Sequence, residues 1–182
     1  MVASAGPARN ARPVRACPGG TAWHPVRVTA SPAAPIPRRA GRVLVLDPDD
    51  RVLLLQGFDP AVPEHRFWFT IGGGAEPGES LAQAAARELR EESGIRAGAA
   101  QLGPPVWRRT AHFSYDGQPY RQDEEYFVLR PGPVRVCLDG LEDGERETVT
   151  GHRWWDIGEL VSSGEPFVPP ELPAIVARLA SP

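Results

Sequence analysis

Three glutamates, Glu88, Glu91 and Glu92, fall within one and a half helical turns in a chain of 182 residues. On a helix running from Leu81, spacings of three and four bring their carboxylates within a few ångströms of each other. Mutual repulsion destabilises such a face unless a counter-ion sits in it. Clustered hard oxygens suit Mg²⁺ or Mn²⁺ rather than zinc. A solvated acidic face balanced by Arg87 and Arg90 is the bland reading of the same residues. The glycines at 72–74 count against it, because they let backbone approach a ligand closely. Pro77-Gly78 then reads as a tight turn joining that loop to the helix. Backbone carbonyls and carboxylates would thus meet at one place.

The same residues stand in a longer fixed register. Gly73, Glu79, Arg87, Glu88, Leu89, Glu91, Glu92, Gly94 and Ile95 fill every slot of the pattern Gly, five residues, Glu, seven residues, Arg-Glu, apolar, any, Glu-Glu, any, Gly, apolar. A chance match is on the order of one in a billion per starting position. The segment 73–95 resembles the Nudix box, and the chain from about 38 to 180 resembles a Nudix hydrolase domain. Ile71 stands where many such boxes carry proline, which leaves every box residue intact. The resemblance implies an α/β/α sandwich with a mixed, curved sheet between helices. It implies an enzyme, a pyrophosphohydrolase that uses water to cleave a nucleoside diphosphate linked to another moiety, with Mg²⁺ or Mn²⁺ as cofactor. Glu88 and Glu92 would then be the main metal ligands, with Glu91 as ligand, supporting group or base. Gly73 would supply a carbonyl oxygen, Arg87 would orient a glutamate, and Glu79 would assist from the loop. A nucleoside triphosphate, a nucleotide sugar and ADP-ribose are all open as substrates, since no secondary signature of a substrate subfamily is met. A non-catalytic nucleotide-sensing module on the same fold is the alternative, although sensors usually lose box carboxylates. An isopentenyl-diphosphate isomerase is weaker still, because Cys17 and Cys137 are poorly placed for it.

Phosphoryl transfer also needs a general base. Glu142, Glu145 and Glu147 qualify by their place in an acidic loop, and Glu124 and Glu125 by their place on a strand that turns only one of them inward. Trp68 and Trp107 are candidate base-stacking residues, and Arg108-Arg109 a candidate phosphate contact. Each has an equally ordinary reading as core aromatic or solvated strand edge.

The elements that must position these groups follow from local pattern. Residues 41–47 read as a buried strand, 51–56 as its return strand, and 67–71 as a third strand entering the glycines. Ser80 and Gln83 form a capping-box signature for the helix, and Gly94 stops it. Strands near 106–115 and 121–129 flank the hairpin signal Asp116-Gly117. Residues 139–147 read as a loop, 151–156 as a last strand, 157–162 as a short helix, and the segment after Pro169 as a closing helix.

Composition bounds the rest. All 20 basic residues are Arg, which points to coding bias more than to chemistry. Seven of them fall in residues 1–42, which hold no acid, leaving 13 against 23 acids in the remainder. An acidic body disfavours stable duplex nucleic acid binding and suits a small nucleotide-type substrate accompanied by divalent cations. Residues 1–37 are rich in Pro, Ala and Arg, read as a disordered basic head, and precede a domain at 38–182. No apolar run is long enough for a membrane span or signal peptide, so no membrane association and a cytoplasmic location are expected; a homodimer is left open.

Overall fold

The computed structural model describes residues 34–179. The head expected at 1–37 therefore lies, through residue 33, outside the described residues. Its last two positions, Ile36 and Pro37, belong to the first strand.

The elements run β1 (Ile36–Val45), β2 (Val52–Phe58), β3 (Arg66–Phe69), β4 (Ile71–Gly74), α1 (Leu81–Ser93), α2 (Ala99–Leu102), β5 (Trp107–Tyr115), β6 (Gln118–Leu129), α3 (Asp143–Thr148), β7 (Val149–Trp155), α4 (Ile157–Ser162), β8 (Phe167–Val168) and α5 (Leu172–Leu179). The strands form two four-stranded sheets, in the orders β4-β1-β6-β5 and β7-β2-β3-β8. Both are mixed: β1 pairs parallel with β6 and antiparallel with β4, and β3 pairs parallel with β8 and antiparallel with β2.

The segments Val43–Leu46 and Val52–Leu55 are buried on both faces, which explains their unbroken apolar runs. Val43, Val45, Leu53 and Leu55 pack with Ile71, Phe127 and Leu129 against the Leu81, Ala85 and Leu89 stripe of α1. Leu44, Leu46, Val52 and Leu54 alternate with them and pack with Tyr126 and Trp155 against Leu160 of α4 and Leu172, Ile175 and Val176 of α5. Helices thus cover both faces, as the sandwich expectation requires.

Two strand expectations need correction. The segment 51–56 is not a return strand beside β1, because β1 and β2 lie in different sheets and share only the isolated bridge Leu46↔Val52. The single strand expected at 67–71 is two strands broken at Thr70, and the chain crosses there from the second sheet to the first. The acidic stretch expected as loop contains α3. The β5–β6 hairpin closes as expected at Asp116-Gly117, with φ of 48° and 72°. Among the described residues no helix is long and apolar enough to cross a membrane.

Leu89 sits fully buried where α1 packs on the first sheet. Leu89→Ala should lower the unfolding free energy by about 2–5 kcal/mol, read as a reduced midpoint at unchanged slope in urea denaturation.

Candidate active site

Helix α1 begins as its sequence directs. The Ser80 side chain accepts from the Gln83 N–H and the Gln83 side chain accepts from the Ser80 N–H, and Gly94 closes the far end at φ 72° with its N–H on the Arg90 carbonyl. The helix presents a mixed buried stripe, Leu81, Ala84, Ala85, Glu88, Leu89, Glu92 and Ser93. Two carboxylates therefore enter the interior beside the core: Glu88 is 8% and Glu92 4% exposed.

Strand β4 meets them with glycines. A Cβ on Gly73 would lie 2.5 Å from the Glu88 Cδ, so a side chain there would displace the Glu88 carboxylate. The Gly72 N–H donates to Glu92 Oε2 at 2.6 Å. Gly72 itself has φ 131°, where an L side chain is strained, and a Cβ would lie 2.7 Å from the Arg42 Cα.

Arg87 ties the loop to the helix. Its Nε and Nη2 donate to Glu79 at 3.2 Å each, Nη2 also to the Gly74 carbonyl at 2.8 Å, and Nη1 to Glu88 at 2.9 Å and Glu91 at 3.0 Å. Arg87 thus contacts two of the three box glutamates, and its bonds to Glu79 and the Gly74 carbonyl join them to the loop. Burial opposes the guanidinium's charge, but Glu79, Glu88 and Glu91 outweigh it and raise its pKa. The hydrogen bond from Arg87 holds the Glu79 carboxyl below its usual range.

A third carboxylate arrives from far along the chain. Carboxylate oxygens of Glu88, Glu92 and Glu145 all lie within 4.8 Å of one another. Glu145 is set by α3, where its Oε2 accepts the Glu142 N–H at 3.0 Å. Burial pushes the Glu88 carboxyl up, partly countered by Arg87. Burial pushes Glu92 up to about 8, against the Gly72 hydrogen bond and with help from the charge on Glu88. Three converging carboxylates, Glu88 paired with Arg87 and Glu92 buried with only a backbone N–H in hydrogen-bond contact, fit a divalent cation such as Mg²⁺ or Mn²⁺.

The other sequence candidates are placed elsewhere. Glu91 leaves the cluster to Glu88 and Glu92 and accepts from Arg87 and, at 2.8 Å, from Arg90. Glu142 and Glu147 are exposed and outside the cluster. Glu124 is the inward member of its pair, 3% exposed, but it turns to the face away from α1. There it accepts from Arg42 at 3.4 Å, Gln122 at 2.7 Å, the Tyr126 hydroxyl at 2.8 Å and Arg109. Burial opposes its charge, yet the two guanidiniums hold its pKa below normal. Glu125 pairs with Arg108 at 2.9 Å. Trp107, Arg108 and Arg109 lie on β5, three strands from β4, which is about 14 Å at the usual strand spacing. Trp107 packs on Tyr126, with centroids 4.8 Å apart, and under Arg109. Trp68 meets Trp155 edge-on at 5.1 Å and donates to Glu165 at 3.3 Å. Both tryptophans join the core on the face away from α1. Arg42 was missed in the sequence, although a lone charge in the run Ala40–Leu46 was a usable signal.

Comparison with known proteins agrees with this architecture. The NUDIX domain family matches residues 36–177. The chain is 47% identical over 51 residues, 28% of its length, to the uncharacterized Nudix hydrolase YvcI of Bacillus subtilis (strain 168), and 46% identical over 67 residues, 35% of its length, to an octanoyltransferase of Myxococcus xanthus. It spans only 29% and 18% of those two proteins. Among solved structures, the MutT protein of Methanosarcina mazei Go1 superposes with a TM-score of 0.57 at 18% identity, over 79% of this chain and 93% of that one. The NUDIX domain of Shewanella oneidensis NrtR, solved with ADP ribose, superposes with a TM-score of 0.54 at 14% identity, over 82% of this chain and 92% of that one. A family match over most of the chain, on a fold whose box helix carries every expected carboxylate, shows that the protein belongs to the Nudix family.

Proposed function

We propose that the protein hydrolyses the pyrophosphate bond of a nucleoside diphosphate linked to another moiety, with Mg²⁺ or Mn²⁺ held by Glu88 and Glu92 and with Glu145 beside them. The observation that carries this reading is the convergence of those three carboxylates within 4.8 Å. A bound divalent cation would supply charge neutralisation on the pyrophosphate and on the leaving phosphate.

The chain's own residues do the positioning. Glu92 is oriented by the Gly72 N–H and Glu88 by Arg87, so neither must reorganise to receive charge. Gly73, with no side chain, leaves the loop backbone open beside Glu88, where its carbonyl would add an oxygen ligand. Glu145 is the member of the cluster that is not fully buried, and among the base candidates it alone reaches the cluster. It is the group to take the proton of the attacking water. Glu91 and Glu79 act through Arg87, which they hold in place.

A panel of nucleoside triphosphates, nucleotide sugars and ADP-ribose with Mg²⁺ tests the reading. On the best substrate, Glu88→Gln and Glu92→Gln should each reduce turnover by at least about 100-fold, and Glu145→Gln should lower kcat with less effect on metal affinity. If neither of the first two variants reaches that loss, the chemistry is wrong. Nucleotide binding with no turnover would favour the sensing alternative.

The buried carboxyls also set a pH dependence. Glu92, ordinarily at 4.5, titrates near 8 in the metal-free fold, so the folded protein keeps a proton that the unfolded chain has released between those values. The associated stability is complete below about pH 4.5 and is lost as pH rises through 8. The metal-free Tm should therefore fall from pH 5 to 8, more steeply in wild type than in Glu92→Gln, and Mg²⁺ should restore most of it at pH 8. Equal slopes in the two proteins would refute the assignment to Glu92.

A further inference from the structure

Arg42 is the single charged side chain between Ala40 and Leu46, and it points away from α1, on the face of the sheet opposite the carboxylate cluster. Its Nη1 donates to the Gly72 carbonyl, and its Nε donates to Glu124 at 3.4 Å. Gly72 is the residue whose N–H holds Glu92 at 2.6 Å. The two peptide planes that flank the Gly72 Cα are thus gripped from opposite faces, the first by Glu92 and the second by Arg42. The second plane leads directly into Gly73, whose backbone lies against the Glu88 carboxylate. At φ 131° this stretch has a conformation that local preference does not hold.

Glu124 fixes the far end of the arrangement. It is buried and accepts from Arg42, Arg109, Gln122 and Tyr126, so the carboxylate has little freedom to turn. A guanidinium reaches the carboxylate and the carbonyl at the same time, whereas an ammonium is a single point charge.

We infer that Arg42, anchored by Glu124, is a positioning residue for the metal site: it orients the Gly72–Gly73 peptide and, through it, Glu92 and Glu88. It touches neither substrate nor metal. The inference rests on the proposed metal-dependent reading. It differs from a purely structural role for the buried network, which would make Arg42 and Arg109 equivalent, since both serve Glu124 and only Arg42 reaches Gly72.

The test uses the full chain, with Mn²⁺ binding followed by the EPR signal of free Mn²⁺ and with ¹H–¹⁵N spectra of the metal-free protein. Arg42→Met should weaken Mn²⁺ binding by at least about tenfold and shift the Gly72 and Gly73 amide signals. Arg42→Lys should fall between, with a loss of about threefold, and it carries the test if the Met variant does not fold. Arg109→Met should leave Mn²⁺ binding within about twofold and those two amides in place. Unchanged Mn²⁺ binding in the Arg42 variants overturns the inference, and so does an equal loss in Arg109→Met. A wild-type chain that binds no Mn²⁺ overturns the metal reading itself, and the inference with it.

Discussion

The structure turns on the placement of two carboxylates, Glu88 and Glu92, inside a folded protein. Removing an ionised carboxylate from water costs several kcal/mol unless hydrogen bonds or opposite charge replace the lost hydration. Here the replacement is uneven. Glu88 has Arg87 at 2.9 Å, while Glu92 has one backbone N–H at 2.6 Å and the charge of Glu88 beside it. The residual imbalance is what a divalent cation would neutralise.

Much of the surrounding architecture serves that placement. The chain crosses from one sheet to the other at Thr70, and this brings three glycines along the edge of the first sheet beside α1. Gly73 permits the approach of Glu88, and Gly72 offers its N–H to Glu92. Helix α1 is itself held by Leu81, Ala85 and Leu89 on the core, so packing sets where the helix lies, and hydrogen bonds from Gly72 and Arg87 orient the two carboxylates it carries.

Two arginines connect this arrangement to the rest of the molecule from opposite sides. Arg87 joins the loop to the helix through Glu79, the Gly74 carbonyl, Glu88 and Glu91. Arg42 joins the glycine strand to the buried Glu124 on the other face. Each serves several acceptors at once, which the planar fork of a guanidinium does well. The absence of lysine from the chain can reflect coding bias and still suit both positions.

Some of this was legible in residues 73–95 alone. The capping residues Ser80 and Gln83, the stop at Gly94 and the common orientation of Glu88 and Glu92 depend on interactions within a few residues, and local spacing determines them. So does the Asp116-Gly117 hairpin. Spacing did not separate Glu91 from its neighbours: its i,i+4 pairing with Arg87 is local, but which helix face the sheets bury, taking in Glu88 and Glu92 and leaving Glu91 out, is tertiary. Nor did it distinguish Glu145 from Glu142 and Glu147, since α3 and the fold around it choose which of the three meets the cluster. Trp68 and Trp107 could not be assigned from type, as an aromatic on a strand fits a core or a ligand face equally. The sequence by itself determined the box helix, its carboxylates and the family. The sheet crossover at Thr70, the arrival of Glu145 and the Arg42–Glu124 contact, across 82 residues, were decided only by tertiary structure, because they depend on which distant segments pack together and no local spacing records that.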